Sequence, residues 1–171
     1  MGNLCGNTAV FSKYAKHIIG EEQLEEKFMK EALKEAKKAY EKNEVPVGAV
    51  IVLNDKIVAR GHNKRETKKN SLCHAEIIAI NKACKKLRNF RLEDCDMYVT
   101  LEPCTMCAGA IVQSRIKTLV YGAKDEKYGM AGTVSNVFEL KSNHKVYVKG
   151  GILAEECSNI IKEFFKKLRK K

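Results

Sequence analysis

Between residues 56 and 123 the chain alternates two kinds of apolar pattern, and this alternation restricts its fold more than any other feature. "KIVARG" at 56–61, "DMYVTL" at 96–101 and "IKTLVYGA" at 116–123 have the β-branched and aromatic content of strands. The segments 74–89 and "CTMCAGAIVQS" at 104–114 read as helices. A β-α-β-α-β run demands crossover helices packed on a sheet.

The flanks complete the pattern. "VPVGAVIVL" at 45–53 and "KIVARG" enclose Asn54-Asp55, two residues that tolerate positive φ, and predict a β-hairpin. Over 21–42, Leu24, Phe28, Leu33 with Ala32, Ala36 and Tyr40 recur near helical spacing and predict an amphipathic first helix. A polar loop is expected at 63–71, and at 125–143 a glycine- and asparagine-containing loop with one short helical turn. "HKVYVKG" at 144–150 reads as a fifth strand. The chain closes on a helix with an apolar stripe of Cys157, Ile160, Ile161, Phe164, Phe165 and Leu168. The predicted order is α-β-β-α-β-α-β-β-α, an α/β three-layer α-β-α sandwich around a five-stranded mixed sheet. A length of 171 residues suits one domain with a real core.

Charge and cysteine content narrow the function. Thirty-two basic against twenty-one acidic side chains leave +11, which favours a polyanionic partner through counterion release, with a lysine-rich solvated surface as the plainer alternative. Seven cysteines are an odd number, and only Cys104 and Cys107 have a spacing with chemical meaning; a disulfide framework is disfavoured and a reducing cytoplasm is expected. The longest uncharged apolar stretch, 45–53, falls short of the roughly 18–20 residues that cross a bilayer. No membrane association is expected. "MGNLCG" has Gly6 where a myristoylation motif wants Ser or Thr, and no long apolar stretch follows it to make a signal peptide.

The chemistry concentrates in "LEPCTMCAGA" at 101–110 and "CHAEIIAI" at 73–80. Pro103 suits the first turn of a helix. Cys104 and Cys107, three apart, then share a helical face near an N-terminus, whose partial positive charge favours the metal-binding thiolate. Alone, this spacing fits a redox dithiol or half of a structural zinc site equally well. His74 shifts the balance. If the strands preceding the two helices run in the same direction, both helices start at one sheet edge, and an imidazole and two thiolates meet there with a coordination position to spare for zinc. Cys73 is the nearest fourth candidate, but neighbours on a helix point about 100° apart. Like Cys5, Cys84, Cys95 and Cys157, it is expected to be a small buried hydrophobe. Glu76 is left as a carboxylate beside the metal, able to accept the proton that zinc-activated water releases.

His74-x-Glu76 with Pro103-Cys104-x-x-Cys107 is the signature of zinc-dependent nucleobase deaminases. With the blocks "EVPVGAVIV" at 44–52, "HAEIIAI" at 74–80, "TLEPCTMCAGAI" at 100–111 and "YGAKDEKYGMAG" at 121–132, the sequence resembles the tRNA-specific adenosine deaminases, which convert a wobble adenosine to inosine. The likeness runs from about residue 25 to residue 170. It implies a cytidine-deaminase-like fold, Zn2+ on His74, Cys104 and Cys107, and Glu76 as the proton shuttle. It further implies that Asn63 hydrogen-bonds a flipped base and that Asp125 and Lys127 touch neighbouring nucleotides. The expected partner is a tRNA anticodon stem-loop, approached by the basic segments "KRETKK" and "KKLRKK", and the expected assembly is a homodimer. Residues 1–24 precede the usual start of such proteins and are expected to be a dispensable extension, with 25–171 the deaminase domain. His62 stands where several relatives carry an aromatic residue. Helix spacing puts Phe164 and Phe165 in the core, with one of them available to RNA. Two rival readings stand beside this one: a deaminase of free guanine, cytosine nucleotides or pterins, and a binding module with structural zinc. Glu76 argues against the module, which has no use for a proton shuttle.

Overall fold

A computed structural model describes the backbone of residues 8–170 and the side chains of residues 20–170. The N-terminal hexapeptide weighed as a lipidation motif, and Cys5 with it, lie outside the described residues. β1 (Gly48–Leu53) and β2 (Lys56–His62) form the expected hairpin. Its turn residues Asn54 and Asp55 sit at φ 49° and 57°, in the left-handed region that short polar side chains tolerate. β3 (Cys95–Leu101) pairs antiparallel with β1, and β4 (Thr118–Ala123) and β5 (Tyr147–Gly150) continue parallel to it. The sheet order is β2-β1-β3-β4-β5, the five-stranded mixed sheet read from the sequence. β2 and β3 point the same way without being neighbours, because β1 lies between them. The helix joining them crosses one strand and starts at the same sheet edge as the next helix.

Alternate strand residues face opposite layers. Ala49, Ile51, Met97, Val99 and Leu119 pack against Ala75, Ala79 and Ala83 of α3 (Ala75–Leu87) and Ile111 of α4 (Thr105–Gln113). Val50, Val52, Tyr98 and Val120 pack against Phe28, Met29 and Ala32 of α1 (Thr8–Glu41) and Cys157 of α5 (Ala154–Leu168). Three layers result, as expected. Small residues let α3 lie close to the sheet. A methyl group at Gly61 would collide with the Ala75 carbonyl oxygen and stand 2.8 Å from the Ala79 nitrogen, so glycine there fixes the height of the first turn of α3, where the chemistry sits.

Several boundaries differ from the sequence reading. α1 starts at Thr8, well before residue 21; Gly20 weakens a helix by about 1 kcal/mol relative to alanine but does not end it. The loop expected at 63–71 contains a one-turn helix, α2 (Arg65–Lys68). Its first amides are satisfied from a distance: the Glu44 carboxylate, 1% exposed, accepts from the backbone N–H of Glu66 at 3.1 Å and of Thr67 at 2.6 Å. β5 is shorter than the predicted 144–150. Pro103 lies ahead of the helix, whose N-cap is Cys104. Cys95 and Cys157 are buried as expected, whereas Cys73 and Cys84 are only half-buried. Among the described residues no helix is long and apolar enough to cross a membrane.

Candidate active site

The two helix N-termini brought to one sheet edge carry the reactive groups. His74 is the N-cap of α3, with extended backbone at φ −75° and ψ 156°, and Cys104 is the N-cap of α4, at φ −74° and ψ 174°. An extended N-cap turns its side chain across the helix end. The His74 Nδ1 therefore lies 3.5 Å from the Cys107 Sγ and 3.7 Å from the Cys104 Sγ, and all three donor atoms fall within 4.8 Å of one another. Zinc–sulfur and zinc–nitrogen bonds of about 2.3 and 2.05 Å at a tetrahedral angle separate N and S by roughly 3.6 Å. The donors are already spaced for the metal, and their chemistry, one imidazole and two thiols, is the set zinc takes in catalytic sites. Among the described residues this cluster contains no fourth ligand; Cys73 is not part of it.

The same cluster polarises its members. Hydrogen bonding from the Cys107 thiol, and next from His74, outweighs desolvation and holds Cys104 down to about 3, as a thiolate. Its partner Cys107 is pushed strongly upward, first by that shared hydrogen bond and then by burial. His74 is raised above its ordinary value by its hydrogen bond to Cys104. Glu76, 4% exposed in the first turn of α3, has its carboxyl raised by burial, against smaller opposing effects from its own backbone N–H and from His74. Burial thus disfavours the ionised form of this carboxyl relative to a solvated one.

These groups open into a cleft of about 980 Å³, which Asn63, His74, Glu76, Cys104, Asp125 and Lys127 all help to line. Six of the seven residues expected from the sequence thus meet in one cavity, and the seventh, Cys107, is fully buried directly behind it. Asn63 also has a task that its sequence context did not reveal. Its Oδ1 accepts from the Ala75 N–H at 3.0 Å and its Nδ2 donates to the Val45 carbonyl at 3.0 Å. It caps α3 and ties its first turn to Val45, keeping one amide N–H and one lone pair for a ligand. Asp125 Oδ1 accepts from the N–H groups of Lys127 and Tyr128 at 3.0 and 3.1 Å, fixing the turn that these cleft-lining residues form. His62 turns away beneath α1, where its Nδ1 is 2.9 Å from a Glu35 carboxylate oxygen.

The structure also divides the two C-terminal phenylalanines. Phe164 is 3% exposed and stacks edge-on against Tyr40, with ring centroids 5.8 Å apart, whereas Phe165 is 41% exposed and lines the cleft. Only one of them belongs to the core. Sequence reading missed Glu102, buried in the cleft wall two residues before Cys104. An acidic residue between a strand end and a proline was the available signal, and it carries no spacing rule.

Known proteins with this arrangement are recognisable. The MafB19-like deaminase family model matches residues 24–169. The tRNA-specific adenosine deaminase of Bacillus subtilis is 54% identical over 148 residues, 86% of this chain and 92% of that protein. A solved tRNA:A34 deaminase, studied for A-to-I editing at the wobble position of transfer RNA, superposes with a TM-score of 0.74 at 44% identity, covering 78% of this chain and 97% of that one. The guanine deaminase of Bacillus subtilis stands further off, at 31% identity and a TM-score of 0.57 over 85% of this chain and 94% of the other. With 54% of the 148 aligned positions, 86% of its length, identical to the first of these, the chain belongs to the tRNA-specific adenosine deaminases, within the MafB19-like deaminases.

Proposed function

We infer that the protein hydrolyses the wobble adenosine of a tRNA to inosine and releases ammonia. The observation that carries this reading is the convergence of one imidazole and two thiols, spaced for zinc, with a non-ligand carboxylate in the same cleft. The guanine-deaminase alternative is disfavoured by the distance of that relative compared with the tRNA-specific one.

His74, Cys104 and Cys107 are the residues that would hold Zn2+, and the ion, when bound, would supply activation of water, whose pKa falls to about 7. Glu76 takes the proton that the attacking water gives up and delivers it to N1 of adenine, where it stays in inosine; it then moves the second proton, from the new C6 hydroxyl, to the amino group, which leaves as ammonia while the C6 carbonyl forms. Its burial keeps bulk water from competing for that proton. Asn63 orients the flipped base with its spare amide N–H and lone pair. Asp125 and Lys127, which line the same cleft, contact the flanking nucleotides. Arg65, Lys124 and Lys162 also line the cleft, and their charge favours a phosphate backbone. The anticodon stem-loop as the bound element, a homodimer as the working assembly and the cytoplasm as the compartment belong to the same proposal and rest on the family resemblance.

The direct test is to incubate the zinc-loaded protein with an anticodon stem-loop carrying adenosine at the wobble position and to sequence the product for A-to-I change. Ammonia release from guanine or cytidine, with none from the stem-loop, would select the free-base alternative.

Two further outcomes are expected. Phe165→Ala should weaken stem-loop binding by about 1–3 kcal/mol through loss of a stacking face, measured by fluorescence anisotropy, while leaving the melting temperature close to that of the parent. Phe164→Ala should instead destabilise the fold by about 3–5 kcal/mol. Deleting residues 1–24 should leave deamination by purified protein intact. Leu24 is partly buried against the Phe28 cluster, so a small drop in melting temperature is expected; abolished turnover would show that the extension takes part in catalysis.

A further inference from the structure

Glu102 is 2% exposed, and the hydrogen bonds of its carboxylate all go to one segment, 125–133. Oε1 accepts from the backbone N–H of Ala131 at 2.9 Å and of Thr133 at 3.1 Å, and Oε2 accepts from the backbone N–H of Asp125 at 3.2 Å and from the Thr133 hydroxyl. The same segment is tied to the neighbouring residue, because the Met130 N–H donates to the Pro103 carbonyl at 2.9 Å. Gly129 permits this closure. A methyl group there would run into the Glu102 carboxylate and stand 2.6 Å from the Asp125 carbonyl oxygen. Backbone donors wrapped around one buried anion make a strong, directional anchor, because charge-assisted hydrogen bonds are shorter and stronger than neutral ones. The anchored segment carries Asp125 and Lys127, which line the same cleft as Asn63.

We propose that Glu102 is a positioning residue for substrate binding: its carboxylate fixes the 125–133 segment so that Asp125 and Lys127 face the nucleotides beside the reacting base, and it neither holds metal nor moves a proton. The proposal rests on the reading of the cleft as an RNA deaminase site. Replacing one carboxylate oxygen with an NH2 group sets donor against donor and releases at least part of the segment. The chemistry at Glu76 stays in place.

Glu102→Gln is the test, with zinc content, steady-state kinetics on the wobble-adenosine stem-loop and hydrogen exchange measured on the same full-length preparation. The expected result is one zinc per chain, KM raised roughly 10- to 100-fold, as for the loss of hydrogen bonds to a charged group, kcat close to the parent, and faster exchange of the 125–133 amides. Loss of zinc, or a fall in kcat at unchanged KM, would overturn it. If this variant does not fold, Gly129→Ala and Thr133→Val take its place: Gly129→Ala keeps the carboxylate but props the segment off it, and Thr133→Val removes a single donor. Both should raise KM, the second less than the first, and unchanged KM in both sinks the proposal. A parent protein that deaminates no stem-loop would bring down the functional reading and this proposal together. Active parent with variants that break the predicted pattern would condemn the role of Glu102 alone.

Discussion

Glu76→Gln should keep one zinc per chain and lose turnover by the 10²–10⁴-fold credited to general acid–base catalysis, or more. The substitution is nearly isosteric, so packing at this 4% exposed position is preserved and the ligand atoms of His74, Cys104 and Cys107 are not disturbed. What disappears is a group that accepts a proton on one side and returns it on the other. An amide can hydrogen-bond in the same place but cannot carry the proton. The loss should therefore fall on kcat and leave stem-loop affinity near that of the parent, a split readable from single-turnover kinetics beside equilibrium binding. Metal loss in this variant would instead make Glu76 a structural support of the ligands, and near-parental turnover would remove it from the mechanism.

Cys107→Ser should abolish activity by a different route. Cys107 is fully buried, with its sulfur 3.5 Å from the His74 Nδ1, and a serine hydroxyl at that position is a poor zinc donor with a shorter reach. Zinc affinity should fall by more than the 10–100-fold that the loss of an outer hydrogen-bond partner typically causes. Turnover should drop to background and be restored little by added metal. The cleaner signature is thermal. Zinc that binds only the folded chain raises the melting temperature of the parent in proportion to RT ln(1 + [L]/Kd), so chelation should lower the parent's melting temperature and leave that of Cys107→Ser almost unmoved. A chelation shift of equal size in both proteins would place the metal elsewhere.

The reach of sequence reasoning differed from one element to the next for identifiable reasons. The hairpin was legible because a two-residue turn fixes its own register and Asn54-Asp55 suits left-handed backbone. α2 was not. "RETK" carries no apolar stripe, and the helix exists because Glu44, more than twenty residues earlier, reaches its first amides. The apolar stripe of α5 placed Phe164 and Phe165 together, since neighbours on a helix cannot be separated by periodicity alone. Contact with Tyr40 of α1 drew one inward and left the other on the cleft. Asn63 was singled out for the base, yet its hydrogen bonds to Val45 and Ala75 also make it the cap of α3. That second task depends on where β2 ends relative to the helix.

The donor types, their spacing and the carboxylate beside them were determined by the sequence itself, because His-x-Glu and Cys-x-x-Cys are local patterns whose chemistry survives any fold that places them at helix starts. Whether they met was decided by tertiary structure. β1 inserted between β2 and β3 keeps those two strands pointing the same way, and only that relation brings two helix N-termini, thirty residues apart in the chain, to one edge with donor atoms 3.5–3.7 Å apart. Strand direction and helix height are set by long-range pairing and by close packing at Gly61, neither of which leaves a mark within a window of neighbouring residues.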